Sequence, residues 1–266
     1  MGGSVMAEVT VLVDRPAADI ARLRLRGDGR MNPMDGVLRA ALLARLDAAI
    51  DDDTVRAIVI AGEGDNFSAG GDIKSMNGLT LEAGRRRIQS VARVVRRLAE
   101  APKPVVAAVR GYAVGAGASL TLLADSVIAG QQARFGFPFF RIGLIPDWGA
   151  LYTLPRRVGP QRARQLFVTG RLVAAEEALS LGLADQVVPE DRLDDAAVEA
   201  ARELAALPPM AFDIAKRQLN VPPASLDAAL EAEALAQAAC FVSDDAVEGR
   251  DAFFAKRDPE FGKPKG

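Results

Sequence analysis

The chain has 266 residues, half of them apolar, with 33 basic and 35 acidic side chains and a formal charge of −2. That length and composition allow one large domain with a substantial core and exclude a disordered chain, while the balanced charge offers no basic footprint for nucleic acid and directs attention to small molecules. The complete absence of histidine excludes His triads, His metal sites and His general bases, so any chemistry falls to carboxylates, Lys, Tyr and backbone groups.

The first residues, Met1 to Met6, carry no basic region followed by an apolar core, so no secretory signal is expected and the cytoplasm is the expected location. Val9–Val13 and Ile20–Leu25 alternate apolar with polar residues and predict two strands joined by a turn at Pro16. After a turn at Gly27-Asp28-Gly29, the spacing of Leu38, Leu42, Leu46 and Ile50 predicts a helix that ends in the acidic run Asp51-Asp52-Asp53. Ala57–Ile60 is continuously apolar, as in a strand covered on both faces. A glycine-rich loop from Gly62 to Gly71 follows. Leu81–Leu98 predicts an amphipathic helix with Ile88, Val91, Val95 and Leu98 on one side and Arg86, Arg93 and Arg97 on a solvated side. Val105–Val109 predicts a third buried strand, followed by Gly111 to Gly117 and an apolar helix to Ala124. Ser126–Ala129 and Ala133–Phe135 predict further strands, and the alternation of strand and helix argues for an α/β fold. None of the apolar stretches reaches the roughly 20 residues that a bilayer requires, so no membrane span is expected.

From about Val173 the chain is expected to be mostly helical, punctuated by Pro208-Pro209 and Pro222-Pro223, with Asp245 and Glu248 as a capping box for a last helix ending near Lys256. This divides the chain into a core over residues 1–200 and a helical region over residues 201–266. The single cysteine, Cys240, excludes an internal disulfide framework and reads as packing.

Two glycine-rich turns each follow an apolar strand: Phe67-Ser68-Ala69-Gly70-Gly71-Asp72-Ile73, and Gly111-Tyr112-Ala113-Val114-Gly115-Ala116-Gly117. Glycine lets backbone approach a ligand closely, and a following helix N-terminus presents free N–H groups. Each could equally be only a tight strand-to-helix turn. The run Phe67 to Met76 resembles the acyl-CoA motif of the crotonase superfamily, the enoyl-CoA hydratase/isomerase kind, and Pro104 to Gly117 resembles its second motif, in order and at the usual separation. Arg30-Met31-Asn32 is similar to the end of the family's first loop, and Phe135-Gly136 to Gly159 to its third motif.

The resemblance implies a spiral of repeated strand-strand-helix turns with a helical C-terminal region that builds homotrimers, often paired into hexamers. It implies that the backbone N–H groups of Gly71 and Ala116 form an oxyanion hole for the thioester carbonyl of an acyl-CoA, each worth roughly 3 kcal/mol to an enolate. It places coenzyme A, entering as part of the substrate with no separate cofactor or metal, along Arg30, Met31, Asn32, Ala69, Gly70, Gly71, Asp72 and Ile73. Phe253 and Lys256 resemble residues that reach coenzyme A, or belong to an ordinary amphipathic helix.

The sequence departs from a hydratase of that family at two places. Where one catalytic glutamate is expected the chain has Ser119, and where the other is expected it has Phe139. Neither can hold and deprotonate water unaided. Phe137, Phe139 and Phe140 are expected to line a dry acyl pocket together with Met76, Ser119 and Trp148. One carboxylate remains in the right segment, Asp147, in Gly143-Leu144-Ile145-Pro146-Asp147-Trp148-Gly149. The run from Ile142 to Asp147 resembles the epoxyphenylacetyl-CoA isomerase branch, and other branches with an acid at the matching place include 3,2-enoyl-CoA isomerases. Asp147 reads either as the acid–base group or as the N-cap of a helix starting near Trp148, and both roles can coexist. Glu63 reads as a solvent-facing loop residue, Asp72 as a support for its loop, and Tyr112 and Trp148 as packing or pocket residues.

The expected function is therefore an isomerase that shifts a double bond in an acyl-CoA with Asp147 as proton shuttle. The alternatives are a hydratase or hydrolase in which Asp147 activates water, and an acyl-CoA-binding protein without catalysis.

Overall fold

The computed structural model describes residues 9–27, 29 and 31–262; the first-loop residues Asp28 and Arg30 lie outside them, as do the chain's ends. β1 (Thr10–Ala17) and β2 (Ile20–Arg26) form an antiparallel hairpin. The turn falls at Ala18-Asp19, while Pro16 sits within β1, where the pairing slips between Asp14 and Ala17. An edge strand has no neighbour on that side, which is where a residue lacking an N–H is tolerated.

α1 (Gly36–Asp51) is capped by Asp35, whose carboxylate accepts from the Leu38 N–H at 2.7 Å. Its Leu38, Leu42 and Leu46 are fully buried. β3 (Ala57–Gly62) is followed by α2 (Leu81–Ala99), capped by Thr80. On the outer side of α2, Arg97 pairs with Asp47 at 2.6 Å and Asp51 at 3.2 Å, and Arg86 pairs with Glu82, so these arginines form a paired outer face.

β4 (Val105–Val109), β5 (Tyr112–Val114) and α3 (Ala116–Thr121) come next, then β6 (Ser126–Gly130) and β7 (Arg134–Gly136). α4 (Ala150–Val158), α5 (Pro160–Thr169), β8 (Leu172–Ala174), α6 (Ala175–Leu181) and β9 (Gln186–Val188) lead to α7 (Leu193–Ala205). β4 and β6 each enter a six-stranded sheet of order β1-β2-β3-β4-β6-β9, and β5 and β7 step out into a three-stranded sheet of order β5-β7-β8. Every pairing in the large sheet beyond the first hairpin is parallel.

The continuous apolar character of β3 and β4 follows from burial on both faces. Ile58, Ile60, Ala107 and Val109 face α1 and α2, whereas Ala57, Val59, Val106 and Ala108 join Leu193, Ala197 and Ala201 of α7 in a second core. Residue 200 lies inside α7, whose Ala201 and Ala205 are buried. β8 and β9 are three residues each, too short to show a period, and the sequence pattern did not reveal them.

The chain closes with α8 (Pro209–Asn220), α9 (Leu226–Phe241) and α10 (Asp244–Ala255). α9 buries no residue in this chain. The cap of α10 is Ser243, not Asp245: its hydroxyl accepts from the Ala246 N–H at 3.1 Å. Asp245 instead accepts from Gly262 N–H, and Glu248 binds Arg257, so the acids expected to cap hold the segment that follows the helix. Among the described residues no helix is long and apolar enough to cross a membrane.

Candidate active site

The two glycine turns lie against each other. Residues 67–68 and 110–114 run parallel, with Phe67 N–H donating to Arg110 O at 2.8 Å, Ser68 N–H to Tyr112 O at 2.9 Å and Val114 N–H to Ser68 O at 2.9 Å. Gly70 has φ +96°, and a Cβ there would sit 2.6 Å from Val114 O and 3.2 Å from Ala116 N. A Cβ on Gly117 would sit 2.4 Å from Ser68 O. Close approach of backbone to backbone is thus what these glycines permit. The first turn leads directly into a 3₁₀ turn, Lys74–Met76, and α2 starts at Leu81, where the sequence pattern places it.

Two backbone N–H groups in this junction, those of Gly71 and Ala116, donate to no acceptor among the described residues. Both are held by the carbonyl at the other end of their own peptide unit. In a planar trans peptide the C=O and N–H point opposite ways, so fixing one aims the other. Gly70 O accepts from Met34 N–H at 2.7 Å, and Gly115 O accepts from Ser119 N–H at 2.9 Å and Ser119 Oγ at 3.0 Å. Ser119 is fully buried and spends its hydroxyl on this bond, so it braces the second turn instead of lining a substrate pocket.

Asp147 lies in a cavity of ≈ 470 Å³ walled by Ile88, Val91, Ala92 and Val95 of α2 and by residues 144–149. Trp148 and Gly149 both take left-handed backbone, φ +54° and +75°. Such a conformation is uncommon for a bulky residue and forms a sharp turn that presents Asp147 beside the buried Trp148. Asp147 Oδ1 is buried and has no hydrogen-bond partner among the described residues. Burial raises the Asp147 pKa from the ordinary 3.8 to about 6, against the opposing pull of Arg87, its own backbone N–H and Arg39. The side chain does not cap a helix: α4 begins at Ala150 after Gly149, with no side-chain cap.

Arg87 connects the two halves of the site. Its Nη1 donates to Ser75 Oγ at 2.9 Å, its Nη2 would lie 3.9 Å from a Cβ on Gly71, and its charge acts on Asp147. Met76 packs directly over the first turn, its Cε 2.9 Å from that same Cβ position. Phe139, nearly buried, has its Cζ 4.0 Å from a Cβ built on Gly115. Phe137 does not join them: it is fully buried and packs edge-on against Phe167 at 5.8 Å, as a core residue, and Phe140 points to the surface.

The description of the enoyl-CoA hydratase/isomerase family matches residues 15–264. The chain belongs to that family. It is 38% identical over 247 residues to the 1,2-epoxyphenylacetyl-CoA isomerase of Escherichia coli (strain K12), covering 91% of this chain and 94% of that one. It is 34% identical over 243 residues to the 2,3-dehydroadipyl-CoA hydratase of the same organism, covering 90% and 93%. The crystal structure of an enoyl-CoA hydratase from Mycobacterium smegmatis superposes with a TM-score of 0.88 at 30% identity, covering 96% of this chain and all (100%) of that one. The crotonase fold is thereby shown, and the chain is an enzyme of the enoyl-CoA hydratase/isomerase family whose relatives' names divide between the two activities.

Within that family frame, the residues expected along coenzyme A fare unequally. Ala69 N–H donates to Met31 O at 2.7 Å, which aligns the first loop with the first glycine turn. Asn32, however, is 2% exposed; its amide donates to Glu63 O at 3.0 Å and Asn66 O at 2.8 Å, and its Oδ1 accepts from Gly27 N–H at 3.2 Å. Its side chain is spent on bracing these loops, so the expected contact with coenzyme A does not fall to the Asn32 amide. Asp72 supports its loop as expected, accepting from Lys74 N–H at 3.1 Å and Ser75 N–H at 3.2 Å, and Ile73 is exposed. Glu63 pairs with Arg24 at 3.0 Å. Arg30 lies outside the described residues. Phe253 and Lys256 are exposed on α10, which packs on α9, and neither reaches the Asp147 cavity in this chain. Arg39 and Arg87 were missed by the sequence reading. Arg39 adjoins Leu38 on the buried side of α1, and an arginine there was the available signal; Arg87 was hidden in the run Arg85-Arg86-Arg87.

Proposed function

We propose that this enzyme shifts a double bond within an acyl-CoA thioester, converting a 3-enoyl-CoA to a 2-enoyl-CoA or carrying out a related ring isomerisation. The observation that carries the reading is a single half-buried carboxylate, Asp147, with one oxygen unpartnered and a pKa of about 6, while the positions expected for two glutamates hold a hydroxyl already spent and a phenylalanine. In this reading ionised Asp147 takes a proton from the α-carbon. The electron pair moves into the thioester as a dienolate, and its oxygen accepts from Gly71 and Ala116 N–H. Asp147 then returns the proton to the γ-carbon, leaving the double bond conjugated. No water or redox partner enters the balance, which suits a cavity walled by Ile88, Val91, Val95, Leu144 and Trp148.

Coenzyme A arrives as part of the substrate, along Ala69, Gly70, Asp72 and Ile73, and no further cofactor is called for. The exposed apolar residues Leu226, Leu230, Leu235, Phe241, Phe253 and Phe254 of α9 and α10 support self-association into the trimer or hexamer that the resemblance implies. In such an assembly Phe253 and Lys256 would cover coenzyme A on a neighbouring subunit.

The hydratase names among the relatives keep a second reading in view, in which Asp147 activates water. Incubation with 3-enoyl-CoA and 2-enoyl-CoA separately, followed by mass spectrometry and absorbance of the conjugated thioester, decides between them. Conjugation at unchanged mass is expected from the 3-enoyl substrate. Addition of water to the 2-enoyl substrate, with the 3-enoyl substrate untouched, would refute isomerisation.

A further inference from the structure

Arg39 is the least expected residue near the site. It sits on α1 among core leucines, is 7% exposed, and its Nε is buried with no acceptor among the described residues. A guanidinium is rarely placed in such a position without an anion to offset its desolvation. Its Nη1 donates to Met34 O at 2.8 Å. Met34 in turn gives its N–H to Gly70 O at 2.7 Å, the carbonyl that sets the direction of the Gly71 N–H. Arg39 also pulls on the Asp147 carboxylate, less than Arg87 does.

We propose that Arg39 is a positioning residue, which anchors through Met34 the peptide that aims the Gly71 N–H. This rests on the assignment of Asp147 and Gly71 under the proposed function. The charged groups acting on Asp147 are Arg87 of α2 and Arg39 of α1; Arg96 of α2 lines the same cavity, and Asp35, at the start of α1, acts on Arg39. Segment 144–149 brings no other charge. Of the two cations Arg87 exerts the larger pull on Asp147 and Arg39 the smaller.

The test compares the parent enzyme with Arg39→Met, Arg39→Lys and Asp147→Asn in the isomerisation of a 3-enoyl-CoA. Arg39→Met should lower kcat by about tenfold to a hundredfold with KM nearly unchanged, because the loss falls on the reacting geometry. Arg39→Lys, which keeps a long donor toward Met34 O, should restore most of the lost kcat. Unchanged kcat in folded Arg39→Met, a rise in KM that matches the fall in kcat, or no rescue by Arg39→Lys overturns the proposal, because a merely structural loss would not fall on kcat alone. If Arg39→Met does not fold, Arg39→Gln, too short to reach Met34 O as Arg39 does, takes its place, and the same fall in kcat is required. The two levels separate cleanly. Full activity in Asp147→Asn would remove the underlying assignment, whereas an inactive Asp147→Asn with unchanged kcat in folded Arg39→Met would sink the Arg39 proposal alone.

Discussion

Replacing Asp147 by asparagine should make the protein more stable and nearly inactive. The carboxylate is buried beside Trp148 with Oδ1 unpartnered, and burial raises its pKa from 3.8 to about 6. At about 1.4 kcal/mol for each tenfold change in proton affinity, that rise corresponds to about 3 kcal/mol. The sign follows from linkage: the fold favours the protonated group, so its contribution is fully present below about pH 4 and is lost as pH rises through about 6. Asparagine cannot ionise and so avoids the loss. Urea titrations of parent and variant at fixed protein concentration should therefore differ by up to about 3 kcal/mol in favour of the variant at pH 8, and the gap should shrink steadily toward pH 4. Isomerase turnover should fall by about 10²–10⁴, the usual worth of a positioned base, and in the parent it should rise with pH through about 6. A variant that is less stable at pH 8, or a gap that does not depend on pH, would refute the claim that Asp147 is held charged at a cost.

Gly70→Ala should open the junction of the two turns. Its φ of +96° costs about 1–3 kcal/mol for a side chain, and the new Cβ meets Val114 O at 2.6 Å, so turnover should drop more than substrate binding in steady-state kinetics. Ser119→Ala removes one of two bonds on Gly115 O and should cost about 1 kcal/mol in urea unfolding together with a several-fold fall in kcat. Lys216→Met strands Asp125, its partner at 2.6 Å, with side chains only 3% and 17% exposed; a loss of about 3 kcal/mol in unfolding free energy is expected, with the folded enzyme's kcat retained. Phe137→Ala should cost about 3–5 kcal/mol by calorimetry or denaturant without altering acyl preference, because Phe137 packs on Phe167 in the core.

The large sheet and its helices were legible because their signals are local and repeated. Leu38, Leu42 and Leu46 mark α1, and the apolar runs of β3 and β4 mark strands covered on both faces. What was not legible depends on contacts between distant segments. Nothing in Phe135-Gly136-Phe137-Pro138-Phe139 distinguishes a phenylalanine that turns inward onto Phe167 from one that reaches Gly115. Asn32 stood beside a ligand motif, yet its amide is consumed by carbonyls at residues 63, 66 and 67. Asp147 was found by its place in the segment, but its choice between capping and acid–base work hinged on Trp148 and Gly149 adopting left-handed backbone, which delays the helix to Ala150. Glycine at residue 149 hinted at such a turn; tryptophan at residue 148 did not.

The same dependence on distant contacts explains how the chain can lack a glutamate at residue 119 and keep the two free N–H groups. Each of those groups is aimed from behind, through the carbonyl of its own peptide: Gly71 through Gly70 O and Met34, Ala116 through Gly115 O and Ser119. A serine at residue 119 reaches Gly115 O one helical turn back, a bond that Ser and Thr form within helices; a glutamate's longer side chain would direct its carboxylate elsewhere. The exchange therefore removes an acid and adds a brace to the second turn. Under the proposed function, proton transfer is then concentrated in one group. Asp147 has features that suit that role: an unpartnered oxygen, a largely apolar lining, and flanking cations that favour the carboxylate in spite of burial. Under the proposed function, one carboxylate and two fixed donors move a proton between two carbons of the same acyl chain, whereas hydration asks one group to hold water while another manages the α-proton.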